Sequence, residues 1–164
     1  MKGYFLASLL VFSTTCFSHT YSNPTHMEQF KKTGVCENCD LSGINWLSTN
    51  KEGAIILSNS NLIRSSLDLL GSFNRQYSNF SNIVGLRLSM SYGDFSYSNF
   101  ANADLRNAHL INNNFTSADF TSANLTGVNF SGTNLYKAKI SQEQLNSVSE
   151  LCNAVLPNGQ ESEC

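Results

Sequence analysis

Charge is scarce in this chain. Ten Lys and Arg face twelve Asp and Glu across 164 residues, a net charge of −2 at pH 7. So mild a balance supplies neither a cationic groove for nucleic-acid phosphates nor a basic patch for an anionic membrane. Long apolar runs are lacking too. The apolar stretch from Tyr4 to Phe12 falls far short of the roughly 20 residues that a bilayer-spanning helix needs. There is no nucleophile elbow, no phosphate loop and no pair of carboxylates at catalytic spacing. His26 and His109 have no second ligand or acid partner nearby in sequence, so both read as solvated surface. Its cysteines apart, the sequence therefore offers no catalytic residue, no metal ligand and no cofactor-binding residue.

What the apolar stretch does fit is a secretory signal peptide over residues 1–18: Met1-Lys2, an apolar run, then small and polar residues. Cleavage after Ser18 places Cys16 and Ser18 at the two small-residue positions. Lipidation at Cys16 is the weaker alternative, because Ser13-Thr14-Thr15 lacks the Leu usual three positions before a bacterial lipoprotein cysteine. Removal of residues 1–18 leaves nine Lys and Arg against twelve Asp and Glu, a net charge of −3. It also leaves Cys36, Cys39, Cys152 and Cys164, an even number that in an exported chain favours disulfides. A periplasmic or secreted protein is expected.

The most regular feature lies downstream. From Phe95 to Ile140 every fifth residue is bulky and apolar: Phe95, Phe100, Leu105, Leu110, Phe115, Phe120, Leu125, Phe130, Leu135 and Ile140. Asp or Asn usually precedes it, and a small residue precedes that, as in Ala103-Asp104-Leu105 and Ala118-Asp119-Phe120. A period of five fits neither a helix nor a flat strand, so it describes a repeat architecture. The unit resembles that of the pentapeptide-repeat family, A-(D/N)-L-x-x. The resemblance implies an all-β solenoid, a right-handed quadrilateral β-helix with four units per turn. The central residue and the small one two before it then point inward.

Residues twenty apart do carry like side chains: Phe95, Phe115 and Leu135; Phe100, Phe120 and Ile140; Leu105 and Leu125. Such columns nest at strand spacing, roughly 4.8 Å. Asp94, Asn114 and Asn134 form an outward polar column, and Asp119 falls beneath Lys139. Residues 93–140 are thus regular. Upstream, in 47–92, the register slips. Cys39-Asp40-Leu41 and Ile44-Asn45-Trp46 share one register, Leu57, Leu62 and Leu67 a second, and Phe80, Met90 and Phe95 a third. Two insertions follow, one in Ser48 to Gly53 and one between Asp68 and Tyr77, where Arg75 in a central slot predicts an outward bulge.

Short helices are expected to cover both open ends, which otherwise expose core and unpaired backbone. One spans Thr25 to Thr33 within an N-terminal cap of residues 19–36, with Met27 and Phe30 facing the core and Gly34 as its stop. The repeats then run over residues 37–140. The second helix follows the capping box Ser141-Gln142-Glu143-Gln144, carries Leu145, Val148 and Leu151, and opens a C-terminal segment of residues 141–164.

Cys36-Glu37-Asn38-Cys39 admits three readings: a structural staple, a thiol redox pair or half of a metal site. Cys39 occupies a small inward slot, and family members with a similar C-x-x-C-D-L-S-G start imply a staple between Cys36 and Cys39. The ending Cys152-Asn153 to Pro157 and Gly159 resembles the C-N-x-x-x-P-x-G tail of exported relatives, which implies a second disulfide from Cys152 to Cys164. One zinc shared by all four is ruled out on this fold, since about five turns, on the order of 25 Å, separate the pairs. Asn79-Phe80-Ser81, Asn114-Phe115-Thr116, Asn124-Leu125-Thr126 and Asn129-Phe130-Ser131 match a glycosylation sequon only because the repeat writes N-L-T.

A less forced feature is an outward column holding Tyr77, Tyr97 and Lys137, with Tyr136 beside it, a candidate partner surface. The functional expectation is a non-enzymatic, exported structural or protein-interaction module, a monomer or weak homodimer with an unknown protein partner. The first alternative, implied by the family's best-understood members, is a DNA mimic that binds gyrase. Against it stand the mild charge and the signal peptide. The second is a redox protein using Cys36 and Cys39.

Overall fold

The computed structural model describes residues 23–44, 54–66 and 73–164. The expected signal peptide, the Asn45-Trp46 part of a repeat, the first expected insertion, Leu67 and Asp68 fall outside those residues. Little of the chain is formal strand. Two-residue strands β1 (Phe73–Asn74) and β2 (Gly93–Asp94) pair in parallel, and the remaining pairing is by isolated bridges.

Those bridges define a solenoid. Asn79 pairs with Asn99, Val84 with Asp104, Ser89 with His109 and Asp94 with Asn114, all in parallel and all twenty residues apart. Each coil therefore has four sides of five residues. Earlier coils are longer. Val35 pairs with Ile56 and Asp40 with Asn61, an offset of 21; Ile56 pairs with Asn79, Asn61 with Val84 and Ser66 with Ser89, an offset of 23. Because Ser66 N–H still donates to Ile44 O, the single extra residue of the first coil lies between Ile44 and Ile56. The three extra residues of the second lie between Ser66 and Asn74, since Asn74 already pairs with Asp94 at an offset of 20. Two insertions are present, as the register slips require.

Arg75, however, is not on a bulge. Its N–H donates to Asp94 O, as Phe95 N–H does to Asn114 O, and its side chain is only 4% exposed. It fills the inward slot of the Phe95 column. The opposite inward slot of that coil holds Gly85, and the extra residues are taken up before β1.

The core is a set of inward columns. Phe80 stacks on Phe100 (ring centroids 4.7 Å apart, planes at 2°) and Phe100 on Phe120 (5.0 Å, 13°). Phe95 stacks on Phe115 at 5.7 Å. Neighbouring columns meet edge to face, as in Phe115 and Phe120 at 5.4 Å. Offset stacks within a column and T-shaped contacts between columns are the two favourable arrangements for aromatic quadrupoles. Coil spacing thus does for rings what ladder spacing does for the backbone.

Helix α1 (Pro24–Thr33) precedes the first coil. The Asn23 side chain accepts from Thr25 and His26 N–H, Pro24 needs no acceptor at the first position, and Gly34 at φ 74° ends the helix by donating to Phe30 O. Phe30 is buried, and Met27 packs against the core. Near the other end, α2 (Gln142–Ser147) begins with the capping box: Ser141 Oγ accepts from Gln144 N–H, and Ser141 N–H donates to Gln144 Oε1. The Gln144 amide also donates to the carbonyls of Phe120 and Ala123, which tethers α2 to the preceding coil.

Coil pairing does not stop at Ile140, the end of the repeats read from sequence. After α2, Glu150 bridges Asn129 and Val155 bridges Asn134 in parallel, one residue out of register because α2 replaces a side. Ser149-Glu150-Leu151-Cys152-Asn153 and Ala154-Val155-Leu156-Pro157-Asn158 are two further units, with Ala154 fully buried. The chain then folds back through an antiparallel bridge between Val155 and Glu161.

Candidate interaction surface

Each five-residue side ends in a turn whose second outward residue has φ near +57°. This left-handed position holds Asn38, Asn59, Asn82 and Asn102 on one corner, and Gly43, Asn107 and Gly127 on the next. Asn and Gly adopt it at little cost, whereas other L residues lose roughly 1–2 kcal/mol. Gly127 and Gly132 meet a second demand, because a Cβ there would lie 2.4 Å and 2.2 Å from the amide oxygens of Asn107 and Asn112. Besides Ser117 and Ser122, the exceptions are bulky: Tyr77, Tyr92, Tyr97, Arg64, Arg87 and Lys137 all occupy corners with φ between 56° and 60°.

Tyr77 and Tyr97 share one corner in successive coils. Their rings stack at 5.2 Å with planes 11° apart, while the residues remain 66% and 52% exposed. Ser117 and Lys137 continue this corner below them; Ser117 N–H donates to Tyr136 O, which sets Lys137 in the same column. The Lys137 ammonium lies 5.0 Å from the centre of the exposed Tyr136 ring. The structure so groups Tyr77 with Tyr97 and Tyr136 with Lys137, with the small Ser117 in between. Sequence reading missed Tyr92, 57% exposed on the adjacent corner. It also missed Arg64 and Arg87, in successive coils on the corner they share with Gly43, Asn107 and Gly127. The signal for all three is their place two residues after a central slot.

Between the tyrosine corners runs the polar column. Asp94 Oδ1 accepts from the Asn114 amide (3.0 Å), and Asp94 Oδ2 accepts from the Gln76 amide (2.8 Å). On other sides Lys139 reaches Asp119 at 2.8 Å, as its column position requires, and Arg106 forks onto Asp104. The Lys139 hydrogen bond, helped by Thr121, pulls the Asp119 carboxyl from its ordinary value down to about 2. The Arg106 side chain likewise lowers that of Asp104.

Cys36 and Cys39 are disulfide-bonded, as are Cys152 and Cys164. Cys36 occupies a central inward slot above Leu57 and Cys39 the next small slot, both buried. Those two slots face each other across every corner, which explains why a spacing of three can be bridged. The pair follows α1 and does not begin a helix, so no helix N-terminus acts on either sulfur. His109 is exposed. His26 is not simply solvated surface: it is half-buried, and its Nδ1 accepts from Asp40 N–H at 3.0 Å, which joins α1 to the first coil. Among the described residues no cluster of His, Cys, Asp and Glu has the arrangement of a metal site. None of their helices is long and apolar enough to cross a membrane.

A five-residue period, four-sided coils and left-handed corners define a pentapeptide-repeat solenoid. The family profile described as pentapeptide repeats matches in eight copies over residues 94–127 and 114–146. Residues 94–146 therefore carry pentapeptide repeats. Among solved structures it is similar to Rfr23, a pentapeptide repeat protein from the cyanobacterium Cyanothece 51142, at 21% identity and a TM-score of 0.53, covering 80% of this chain and 97% of that one. It is also similar to HetL, a pentapeptide repeat protein involved in heterocyst differentiation regulation from Nostoc sp. strain PCC 7120. There the identity is 20% and the TM-score 0.40, over 78% of this chain and 51% of that one. No curated protein matches the sequence.

Proposed function

We propose that the protein is a non-enzymatic, exported interaction rod of the cell envelope or exterior. In this reading it is a right-handed solenoid of square section, with α1 before its first coil and α2 as one side of its last, that binds a protein partner through the Tyr77–Tyr97 corner. The stack at that corner carries the reading. Two left-handed tyrosines cost roughly 2–4 kcal/mol together, and one aromatic stack returns only about 0.5–1.5 kcal/mol. Folding alone therefore does not account for them, and strain kept at an exposed aromatic site is the mark of a contact made with something else. Export is supported by the apolar leader and by two disulfides, which persist in oxidising compartments.

Gyrase mimicry finds less support. A DNA-like face needs continuous negative charge, yet Asp104 and Asp119 are each paired with a cation and Asp94 shares its column with three asparagines, Asn74, Asn114 and Asn134. Thiol chemistry finds less support as well, since both sulfurs of Cys36 and Cys39 are buried.

A photo-crosslinking residue at position 97, expressed in the native cell envelope, tests the proposal against the same label at Asn102. The expected outcome is one discrete adduct from position 97 and none from Asn102. The double change Y77N/Y97N should abolish partner capture by label placed at Tyr92, while raising stability by about 1 kcal/mol. Identical adducts at positions 97 and 102, or a destabilised double variant, would overturn the reading.

A further inference from the structure

On the corner diagonal to the tyrosines, Arg64 sits one coil above Arg87, both exposed and both left-handed at φ 56° and 57°. The same corner carries Gly43, Asn107 and Gly127, the residues the conformation favours. Stacking like charges at roughly 4.8 Å adds repulsion to that strain. Neither arginine makes an ion pair among the described residues.

The side leading into this corner is unusual in the same two coils. Its outward positions are polar in the regular coils, with Asp104 and Arg106, then Asn124 and Thr126. In the coils of Arg64 and Arg87 three of the four are apolar, with Asn61 the polar residue above Val84. Val84 is 41% exposed, and the half-buried Ile63 lies directly above the half-buried Leu86. An apolar strip two coils high is thus edged by two guanidinium groups, on a protein whose net charge is negative.

We infer that this side docks an extended polypeptide segment that sets apolar side chains on Ile63, Val84 and Leu86 and a carboxylate on Arg64 and Arg87. The charge complementarity is specific. A guanidinium fork takes a carboxylate through two hydrogen bonds, and two forks one coil apart hold it from both sides. Strand addition is not available, because the backbone groups of these coils are already paired with their neighbours. Affinity must therefore come from side chains. A bilayer is the poorer occupant: two cations and one short apolar strip attract an anionic surface only weakly. The inference rests on the interaction reading above but concerns a different corner from the tyrosines.

A phage-displayed random dodecapeptide library panned on the disulfide-bonded protein tests it, with phosphatidylserine vesicles as a second arm. Enriched peptides are expected to combine apolar residues with Asp or Glu and to weaken as salt rises. They should lose about tenfold or more in affinity for R64N/R87N and for V84N, and bind Y77N/Y97N as well as the parent. The R64N/R87N variant should melt no lower than the parent, because asparagine accepts the left-handed corner. Peptides without a carboxylate, binding indifferent to R64N/R87N, or no enrichment would overturn the inference. So would vesicle binding without peptide binding, or a lower melting temperature for R64N/R87N. Loss of peptide binding in Y77N/Y97N alone would sink this site and leave the tyrosine reading standing; loss of the position-97 adduct alone would do the reverse.

Discussion

Coils before Asn74 are 21 and 23 residues long and those after it are 20 until α2 adds one residue, and the inward slots change with them. Downstream the small slot is mostly Ala, and its N–H closes the corner on itself: Ala103 donates to Phe100 O, Ala108 to Leu105 O, Ala118 to Phe115 O. Four corners are not closed in this way. The N–H groups of Cys39, Ile55, Ser78 and Gly93 instead reach into the next coil, to Ser60 Oγ, Ser78 Oγ, Ser98 Oγ and Asn113 Oδ1. The same side chains then donate to carbonyls of the opened turns: Ser60 to Cys36 O, Ser98 to Arg75 O and Asn113 to Met90 O. A buried polar side chain is inserted where the turn has opened. From Phe95 onward corners such as those of Ala103 and Ala118 close within the coil, whereas before Phe95 opened corners sealed between coils stand among closed ones such as Ser60 to Leu57 O and Ser65 to Leu62 O.

The sharpest test of that difference is in the rings. Phe100 lies between Phe80 and Phe120, so Phe100→Ala breaks two stacks and opens a cavity, at a cost of about 3–5 kcal/mol. Leu62→Ala, in the irregular half, should cost about 2–4 kcal/mol. Because each coil contacts only its neighbours, native-state hydrogen exchange should show amides of residues 95–134 opening last. Equal protection in the coil of Ser60 would break the comparison.

Next in size are the inserted side chains. Asn113→Ala strips partners from the buried Gly93 N–H and Met90 carbonyl, so denaturant unfolding should show a loss of about 2–3 kcal/mol. Ala118→Gly, in a sealed corner, should cost only about 1 kcal/mol, from one lost methyl and added backbone freedom. If Asn113→Ala proves as mild as Ala118→Gly, the turn closes again without its insert, and the two halves are sealed alike.

How legible each half is follows from the same chemistry. From Phe95 to Ile140 one residue class fills one slot, so the period is visible in the sequence. Upstream, Arg75 and Gly85 fill central slots as a long and a minimal side chain, and neither looks like core until the coil is closed around both. The units at Leu151 and Leu156 were hidden for a different reason. Helix α2 shifts them by one residue, and Glu150 and Val155 replace the usual Asn or Asp. Cys36 looked like part of a cap because nothing in its spacing says it is central. The corners Tyr92, Arg64 and Arg87 become legible only with the register, since their meaning lies in a left-handed backbone that composition does not reveal. His26 was undervalued because its partner is a backbone N–H fourteen residues away.

The smallest expected effect separates the two halves by acid. The Asp104–Arg106 and Asp119–Lys139 pairs both lie in the regular coils, and Asp119–Lys139 joins two successive coils. With its folded value pulled from 3.8 down to about 2, Asp119 stabilises the fold above its unfolded pKa. That contribution should fade as pH falls from about 4 to about 2, through the folded value. Lys139 is 70% exposed, so solvent screens the pair and holds the contribution below about 1 kcal/mol. The measurement is the stability difference between the parent and Asp119→Asn across that window. It should be present near neutral pH, vanish near pH 2 and shrink in high salt. A difference that persists unchanged at pH 2 would mean that it does not arise from the ionised Asp119 carboxylate, because asparagine keeps the acceptor for the Thr121 N–H, and it would sink the account of this pair.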